Sequence, residues 1–458
     1  MNSRKRNRTK VTHKKKMERA IFLIVCSLLF TGSLARPKKA FANLYSEAVQ
    51  EAEAICETID GEKLDQVTAP EISITYNKKK INTSAAPIVQ YGDVTMMALH
   101  KTICKQGPKV LFEKNEETGH IRLVWQNHVV TFYLDEKTFY ADGQKYKFQA
   151  APFEVVYRKS SADDILVPME MLCKVLGFNC QWEEDGKKLA IKKQNISFSG
   201  KKHRIRYPYS LKKYAKIQYR RVPRVSYSKY RSYLDPAKDK TAGFQFLRVD
   251  RYRNVDTGIF KRYYKYLIED YCREMDIRVR KSCLYNKANV FLKAAKKYNL
   301  DPIYLVSQTF LESAYGTSEL ACGNRIKKVA RRGYPRTRSG KFLTKKIKKS
   351  VKVYNLYGIK AYDNDPFVGG TSYAYYHKWT SVTRAIYGAA SYLSGNYIRG
   401  RYHQNTIYKM RFSPTKRGLW HQYATAPYYA ESIGLRMYWM STCYAKSAKF
   451  LYDFPRFS

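Results

Sequence analysis

Acidic residues are scarce in this sequence. Only 38 Asp and Glu stand against 85 Lys and Arg in 458 residues, a formal net charge of +47. That excess excludes a cationic partner surface and leaves nucleic acid, anionic lipid and anionic polymers open. Long apolar runs are nearly absent. The one that occurs, residues 20–34 (AIFLIVCSLLFTGSL), is shorter than the roughly 20 residues a membrane-spanning helix needs. There is no glycine-rich phosphate loop and no His/Cys grouping with ligand spacing, so no cofactor and no metal is called for. Nine cysteines, widely spaced, do not make a disulfide-dense scaffold. Buried free thiols and disulfides both remain compatible with them.

What is present narrows the field. The chain is 44% hydrophobic and 27% charged, so it can bury real cores, and its length suggests several domains. Residues 1–19 carry nine cations against Glu18, followed by the short apolar run and by Ala40, Phe41 and Ala42. A basic stretch, a short apolar run and an A-x-A site predict a secretory signal peptide over 1–42. The expected product is secreted, with no stable membrane span after cleavage. Export makes nucleic acid a poor partner and favours acidic wall polymers.

Residues 43–71 read as an acidic helical lead-in. From 72 to 195 short alternating runs and turn signals, such as Asp142-Gly143, predict a small α+β domain. Within it 94–101 and 168–176 read as helices. Residues 196–234 mix cations with tyrosines and offer few aliphatics, which predicts an extended basic linker. A strand is expected over 244–250 and an amphipathic helix over 263–275. Residues 325–350 hold 12 Lys/Arg and no acid, the mark of a solvated loop or of an anionic-polymer contact.

From 287 onward the pattern is helical. Phe291, Ala294, Ala295 and Tyr298 share one helix face. Asp301 and Pro302 are an N-cap and a first-turn proline, opening an apolar helix that reaches Glu312. A carboxylate at the C-terminal end of a buried helix meets the negative end of the macrodipole and a desolvated setting. Both raise its pKa and suit it to donate a proton.

Two resemblances extend this reading. VPMEMLCKVLGFNCQW (167–182) with KLAI (188–191), and YGDVT (91–95), resemble the copper amine oxidase N-terminal-like domain of exported bacterial proteins. That implies a spacer or wall-binding module over 72–195 and not copper, since His100, His120 and His128 lack ligand spacing. LESAYGTSELA (311–321) resembles the catalytic-glutamate segment of autolysin-type endo-β-N-acetylglucosaminidases, glycoside hydrolase family 73. The match continues through VYNLYGIKAYD (353–363), YAY (373–375), WTS (379–381), QNTIYKMRF (404–412) and HQYAT (421–425). Five further motifs in order are far more specific than one.

The second resemblance covers 235–458. It implies a multidomain α+β chain ending in a mainly α, lysozyme-like catalytic domain with a β-hairpin. The implied activity is hydrolysis of the β-1,4 bond after N-acetylglucosamine in peptidoglycan glycan strands. Carried over by position, Glu312 is the general acid and Tyr423 lies beside the scissile sugar. Asp363 falls in the hairpin region as a candidate second carboxylate, and Ala426 stands where many relatives are acidic or polar. Tyr354, Tyr357, Tyr373, Tyr375 and Trp379 are candidates for stacking on sugar faces. The charge would also suit teichoic acids. A non-catalytic wall-binding protein, or a muramidase or lytic transglycosylase on the same fold, remain alternatives.

Overall fold

Two textures follow one another along the chain, strands first and helices second. The computed structural model describes residues 72–458 except 84–87, 127, 158–161, 184–185, 194–199 and 362–364, together with two short strands at 56–58 and 67–68. The expected signal peptide lies outside the described residues, as does Asp363. Among the described residues no helix is long and apolar enough to cross a membrane.

The first strands are β1 (Cys56–Thr58), β2 (Val67–Thr68), β3 (Ser73–Tyr76), β4 (Lys79–Lys80), β5 (Val89–Tyr91) and β6 (Val94–Ala98). A meander follows: β7 (Leu111–Asn115), β8 (His120–Trp125), β9 (His128–Tyr133), β10 (Thr138–Ala141) and β11 (Gln144–Lys147). Then come β12 (Phe153–Tyr157), β13 (Ala162–Pro168), helix α1 (Met169–Val175), β14 (Phe178–Glu183) and β15 (Lys188–Lys193). They form a six-stranded sheet ordered β1-β12-β13-β6-β5-β2, the five-stranded meander, and a four-stranded sheet β14-β15-β3-β4. Met97, Ile121, Phe132, Phe139, Leu172 and Leu189 share one core between these layers.

Two expectations fail in this region. Residues 94–98 are a strand rather than a helix, followed by a wide helical turn at Leu99–Cys104. Met96, Met97 and Ala98 are buried and pair with β13 on one side and β5 on the other, so sheet pairing overrides local helix propensity. The described parts of the supposed helical lead-in are likewise strands, β1 on β12 and β2 on β5.

The largest correction concerns 196–234. Instead of a linker, the described residues form β16 (Gly200–Arg206), α2 (Leu211–Arg221) and α3 (Tyr227–Leu234). The last strand of the chain, β19 (Phe450–Arg456), pairs in parallel with β16 along seven residues. Tyr207, Tyr214 and Tyr230 are fully buried. The Tyr207 hydroxyl donates to Phe412 O (2.7 Å) and that of Tyr214 to Ser413 O (2.8 Å). Tyr408 returns a bond to Leu234 O (2.6 Å). Tyrosine fills the core here with apolar rings whose hydroxyls find backbone carbonyls.

The helical region comprises α4 (Thr257–Glu274), α5 (Ala288–Lys297), α6 (Pro302–Ser313), α7 (Pro366–Tyr376), α8 (Val382–Leu393), α9 (Ile407–Arg411) and α10 (Tyr429–Trp439). Where a strand was expected, Phe244–Phe246 is a 3-10 turn, and only Leu247 makes a bridge, to Tyr452. The expected cap of α6 is present. Asp301 accepts from Tyr304 N (3.0 Å) and is itself held by Arg253 (2.7 Å) and the Tyr444 hydroxyl (2.9 Å). The basic segment expected as a loop is a hairpin of β17 (Asn324–Ala330) and β18 (Thr344–Val353). Ile326, Val329 and Val353 face the core, while every Lys and Arg from 325 to 352 is exposed.

The two regions meet along α4. Arg122 of β8 pairs with Asp270 (3.1 Å) and Glu274 (3.3 Å), and Thr131 of β9 bonds to the Tyr266 hydroxyl. His120 faces Asp270 at 3.3 Å, and His128 bonds Asp142 at 2.6 Å.

Candidate active site

Glu312 lies one residue from the end of α6, whose residues 302–310 are all buried. The helix stops sharply after it. Ala314, Tyr315 and Gly316 all take left-handed backbone (φ 47, 53 and 81°), a run that normally costs non-glycine residues about 1–2 kcal/mol each. Local bonds hold the turn. Ser313 Oγ accepts from Gly316 N (2.9 Å) and donates to Thr309 O (2.6 Å). Tyr315 stacks on Tyr271 at 4.4 Å. A Cβ at Gly316 would fall 2.6 Å from Leu284, so glycine is required there on two counts.

Glu312 is half-buried, with its carboxylate held by neighbouring side chains. Gln308, one helical turn earlier, donates from Nε2 to Glu312 Oε1 (3.1 Å), and the Tyr429 hydroxyl donates to Gln308 Oε1 (2.6 Å). The Tyr423 side chain lies close enough to favour the charged form of Glu312. Burial pushes the Glu312 carboxyl from 4.5 up to about 7, against the lowering effect of the Tyr423 side chain. At neutral pH such a group is in part a carboxylic acid, with a proton to give.

Tyr423 is fixed from several sides. Its ring stacks on Tyr429 (5.3 Å, 22°) and meets Tyr397 edge-on (5.3 Å). Its backbone N–H donates to Met410 O (3.0 Å). Beside it, Gln404 grips His421 through the ring Nδ1 (2.6 Å) and the backbone carbonyl (2.7 Å). Desolvation lowers the His421 pKa, which favours the neutral ring.

The aromatic candidates divide into two groups. Tyr357 is 5% exposed and shares a 2.6 Å hydrogen bond with Thr309 of α6, beneath Glu312. Trp379 is 4% exposed and lies over Gly388, where a Cβ would come within 1.9 Å of its indole nitrogen. As placed, neither ring offers a free face to a sugar; both brace the scaffold. Tyr354, Tyr373 and Tyr375 are half-buried. Tyr354 packs over Gly323 at the base of the hairpin and donates from its backbone to Trp379 O (2.9 Å). Tyr373 stacks on His377 (3.9 Å) and meets Trp379 edge-on (5.3 Å), while Tyr375 packs on Tyr376 (5.5 Å).

Sequence reasoning missed Gln308, Tyr397 and Tyr429. Gln308 was within reach, since a residue four before Glu312 shares its helix face. Tyr397 and Tyr429 reach the site only through long-range packing.

The chain is similar to known proteins over the part that holds these residues. Residues 288–439 match the glucosaminidase family, mannosyl-glycoprotein endo-beta-N-acetylglucosaminidase. The chain is 35% identical over 203 residues to the bifunctional autolysin of Staphylococcus epidermidis, covering 44% of this chain and 13% of that one. It is 34% identical over 189 residues to the bifunctional autolysin of Staphylococcus aureus, covering 41% and 13%. It therefore spans only about an eighth of the length of these relatives. Among solved structures, the major bifunctional autolysin shares 26% identity over 57% of this chain and all of the other, with a TM-score of 0.36. Autolysin E of S. aureus shares 23% over 55% and 96%, with a TM-score of 0.39. Glu312, Gln308, Tyr423 and Tyr429 all lie within the residues that match the glucosaminidase family.

Proposed function

We propose that the protein is an exported peptidoglycan hydrolase that cleaves the β-1,4 bond after N-acetylglucosamine, with Glu312 as general acid. One observation carries this: a carboxyl held near pKa 7 by burial, on the family's glutamate motif, within a glucosaminidase-family domain. In this reading the helices from α4 to α10 and the β17–β18 hairpin form a lysozyme-like frame around a glycan cleft. Glu312 protonates the leaving glycosidic oxygen, and Tyr423 holds the acid and the sugar beside it. Asp363 remains the proposed second carboxylate; its separation from Glu312 would set the stereochemical course. Should it stand far from the cleft, the substrate's 2-acetamido group can act as nucleophile. Tyr354, Tyr373 and Tyr375 are the proposed sugar contacts.

The β-rich region is proposed as a spacer or wall-binding module related to the copper amine oxidase N-terminal-like domain, with no role for copper. The exposed cations of the hairpin are proposed to hold the enzyme on teichoic acid, which keeps it associated with the wall. Reducing-end analysis of digested wall tests the activity. N-acetylglucosamine ends are expected. Muramic ends would mean a muramidase, anhydro-muramic ends a lytic transglycosylase, and no new ends a non-catalytic wall protein.

A further inference from the structure

The glucosaminidase-family match begins at residue 288, yet one of the side chains that fix the Tyr423 loop lies far upstream, on α2. Gln218 is 1% exposed. Its Oε1 accepts two hydrogen bonds, from a guanidinium nitrogen of Arg411 (3.0 Å) and from Gln422 Nε2 (2.9 Å). Arg411, the last residue of α9, is 0% exposed. Its remaining donors bind Ala426 O (2.8 Å) and Thr425 O (3.0 Å). Gln422 precedes Tyr423, and Thr425 and Ala426 follow it. The carbonyl oxygen of Gln218 therefore anchors both flanks of Tyr423, directly on one side and through Arg411 on the other.

Two features argue that this oxygen, and not the bulk of the side chain, is what α2 contributes. Gln218 Nε2 is buried and has no hydrogen-bond partner. An orphaned donor is destabilising, so packing alone would favour an apolar residue here. Arg411 meanwhile is a buried cation held by carbonyl and amide oxygens, and burial lowers its guanidinium pKa to about 10. A desolvated guanidinium is held in a fixed orientation by its fork of hydrogen bonds, and Gln218 supplies one of them.

We infer that Gln218 is a positioning residue for Tyr423, so that α2, upstream of the residues that match the family, completes the catalytic corner through its bonds to Arg411 and Gln422. The inference rests on the reading of Glu312 as the acid and Tyr423 as its partner. It is tested in the full chain with Gln218→Met, which keeps length and removes both acceptor bonds. A small misplacement of a catalytic group costs up to about 100-fold in rate, so kcat on purified wall should fall about 10- to 100-fold with KM little changed. The alkaline limb of the pH–rate profile should also move to higher pH, because Tyr423, whose side chain lowers the Glu312 pKa, is held less closely against it. A merely structural loss would reduce the folded fraction without moving that limb. Gln218→Glu keeps both acceptor bonds, removes the orphaned N–H and gives Arg411 a counter-charge, so it should rescue kcat and the limb together.

Folded Gln218→Met with wild-type kcat and limb would overturn the inference, as would Gln218→Glu as impaired as Gln218→Met. If Gln218→Met does not fold, half-buried Gln422→Met removes one arm and leaves the Arg411 bond. It should show a smaller change in the same direction, and wild-type behaviour there overturns the inference too. Glu312→Gln is measured alongside. Retained hydrolysis by that variant sinks the acid assignment, whereas an inactive Glu312→Gln beside an unaltered Gln218→Met sinks only the brace.

Discussion

The displaced pKa of Glu312 links activity to stability through a single substitution. An acid whose folded-state pKa lies above its unfolded value binds its proton more tightly when folded. Stability is therefore undiminished below the unfolded value of 4.5, falls as pH rises from there to about 7, and is flat above. At about 1.4 kcal/mol per pKa unit, this gap corresponds to at most about 3 kcal/mol. Glu312→Gln keeps the shape and removes the ionisation. The variant should thus match the wild type near pH 4 and exceed it near pH 8. With about 2–4 °C of melting temperature per kcal/mol for a domain of roughly 150–250 residues, the gain near pH 8 is several degrees.

The assay is thermal unfolding of both proteins followed by circular dichroism across that pH range, paired with wall-turbidity clearance. Clearance by Glu312→Gln should fall about 100- to 10,000-fold, the usual worth of a general acid. Wild-type clearance should fall above about pH 7, as the acid loses its proton. A melting difference that is flat with pH, or a wild-type alkaline limb near pH 4.5, would refute the argument that burial holds the proton on Glu312.

Two more outcomes follow from the packing and the charge. A fragment of 235–458 loses β16, α2, α3 and the buried Tyr207, Tyr214 and Tyr230, worth on the order of 10 kcal/mol of burial, comparable to the stability of a whole domain. It should be unfolded by circular dichroism and clear no zymogram; a folded, active fragment would show that these elements are dispensable. Raising salt shortens the reach of the exposed hairpin cations, so pelleting with teichoic-acid-bearing wall should weaken steeply. Hydrolysis of a small neutral glycan fragment should change much less, and salt-insensitive pelleting, equal with and without teichoic acid, would move wall recognition to the β-rich region.

How much of this could be read in the sequence depends on the distance over which each feature is decided. The cap at Asp301, the proline after it and the apolar run to Glu312 are local, and α6 is where they place it. The α4 helix was legible only in its later turns, from 263 on, since it starts at Thr257 behind the Asp256 cap. The 200–234 segment was not legible. Its tyrosines become core only because Phe412, Ser413 and β19, some two hundred residues later, supply the carbonyls and the strand. The basic hairpin was hidden differently: its few inward residues, Ile326, Val329 and Val353, are outnumbered by lysines and arginines that have no core to face. Gln218 carries no local signal at all. It is one glutamine among cations until Arg411 and Gln422 are brought to it.

The composition itself bears on the catalytic corner. A cation within about 4–6 Å of a carboxylate lowers its pKa by about 1–3 units, enough to return Glu312 to the ordinary range. The sequence holds 85 Lys and Arg, yet what acts on Glu312 is burial, the Gln308 amide and the Tyr423 side chain, none of them a cation. The groups that feel its charge are Tyr304, Tyr357, Tyr397, Tyr423 and Tyr429, each with its own pKa raised by burial and therefore neutral at the pH of the wall. Tyrosine supplies there what neither phenylalanine nor lysine could. Its ring excludes water and so raises the carboxyl pKa, while its hydroxyl adds polarity without bringing a positive charge. In a chain this basic, keeping an acid protonated requires the cations, the buried Arg411 included, to act elsewhere than on Glu312, and the corner around it to be walled by tyrosine.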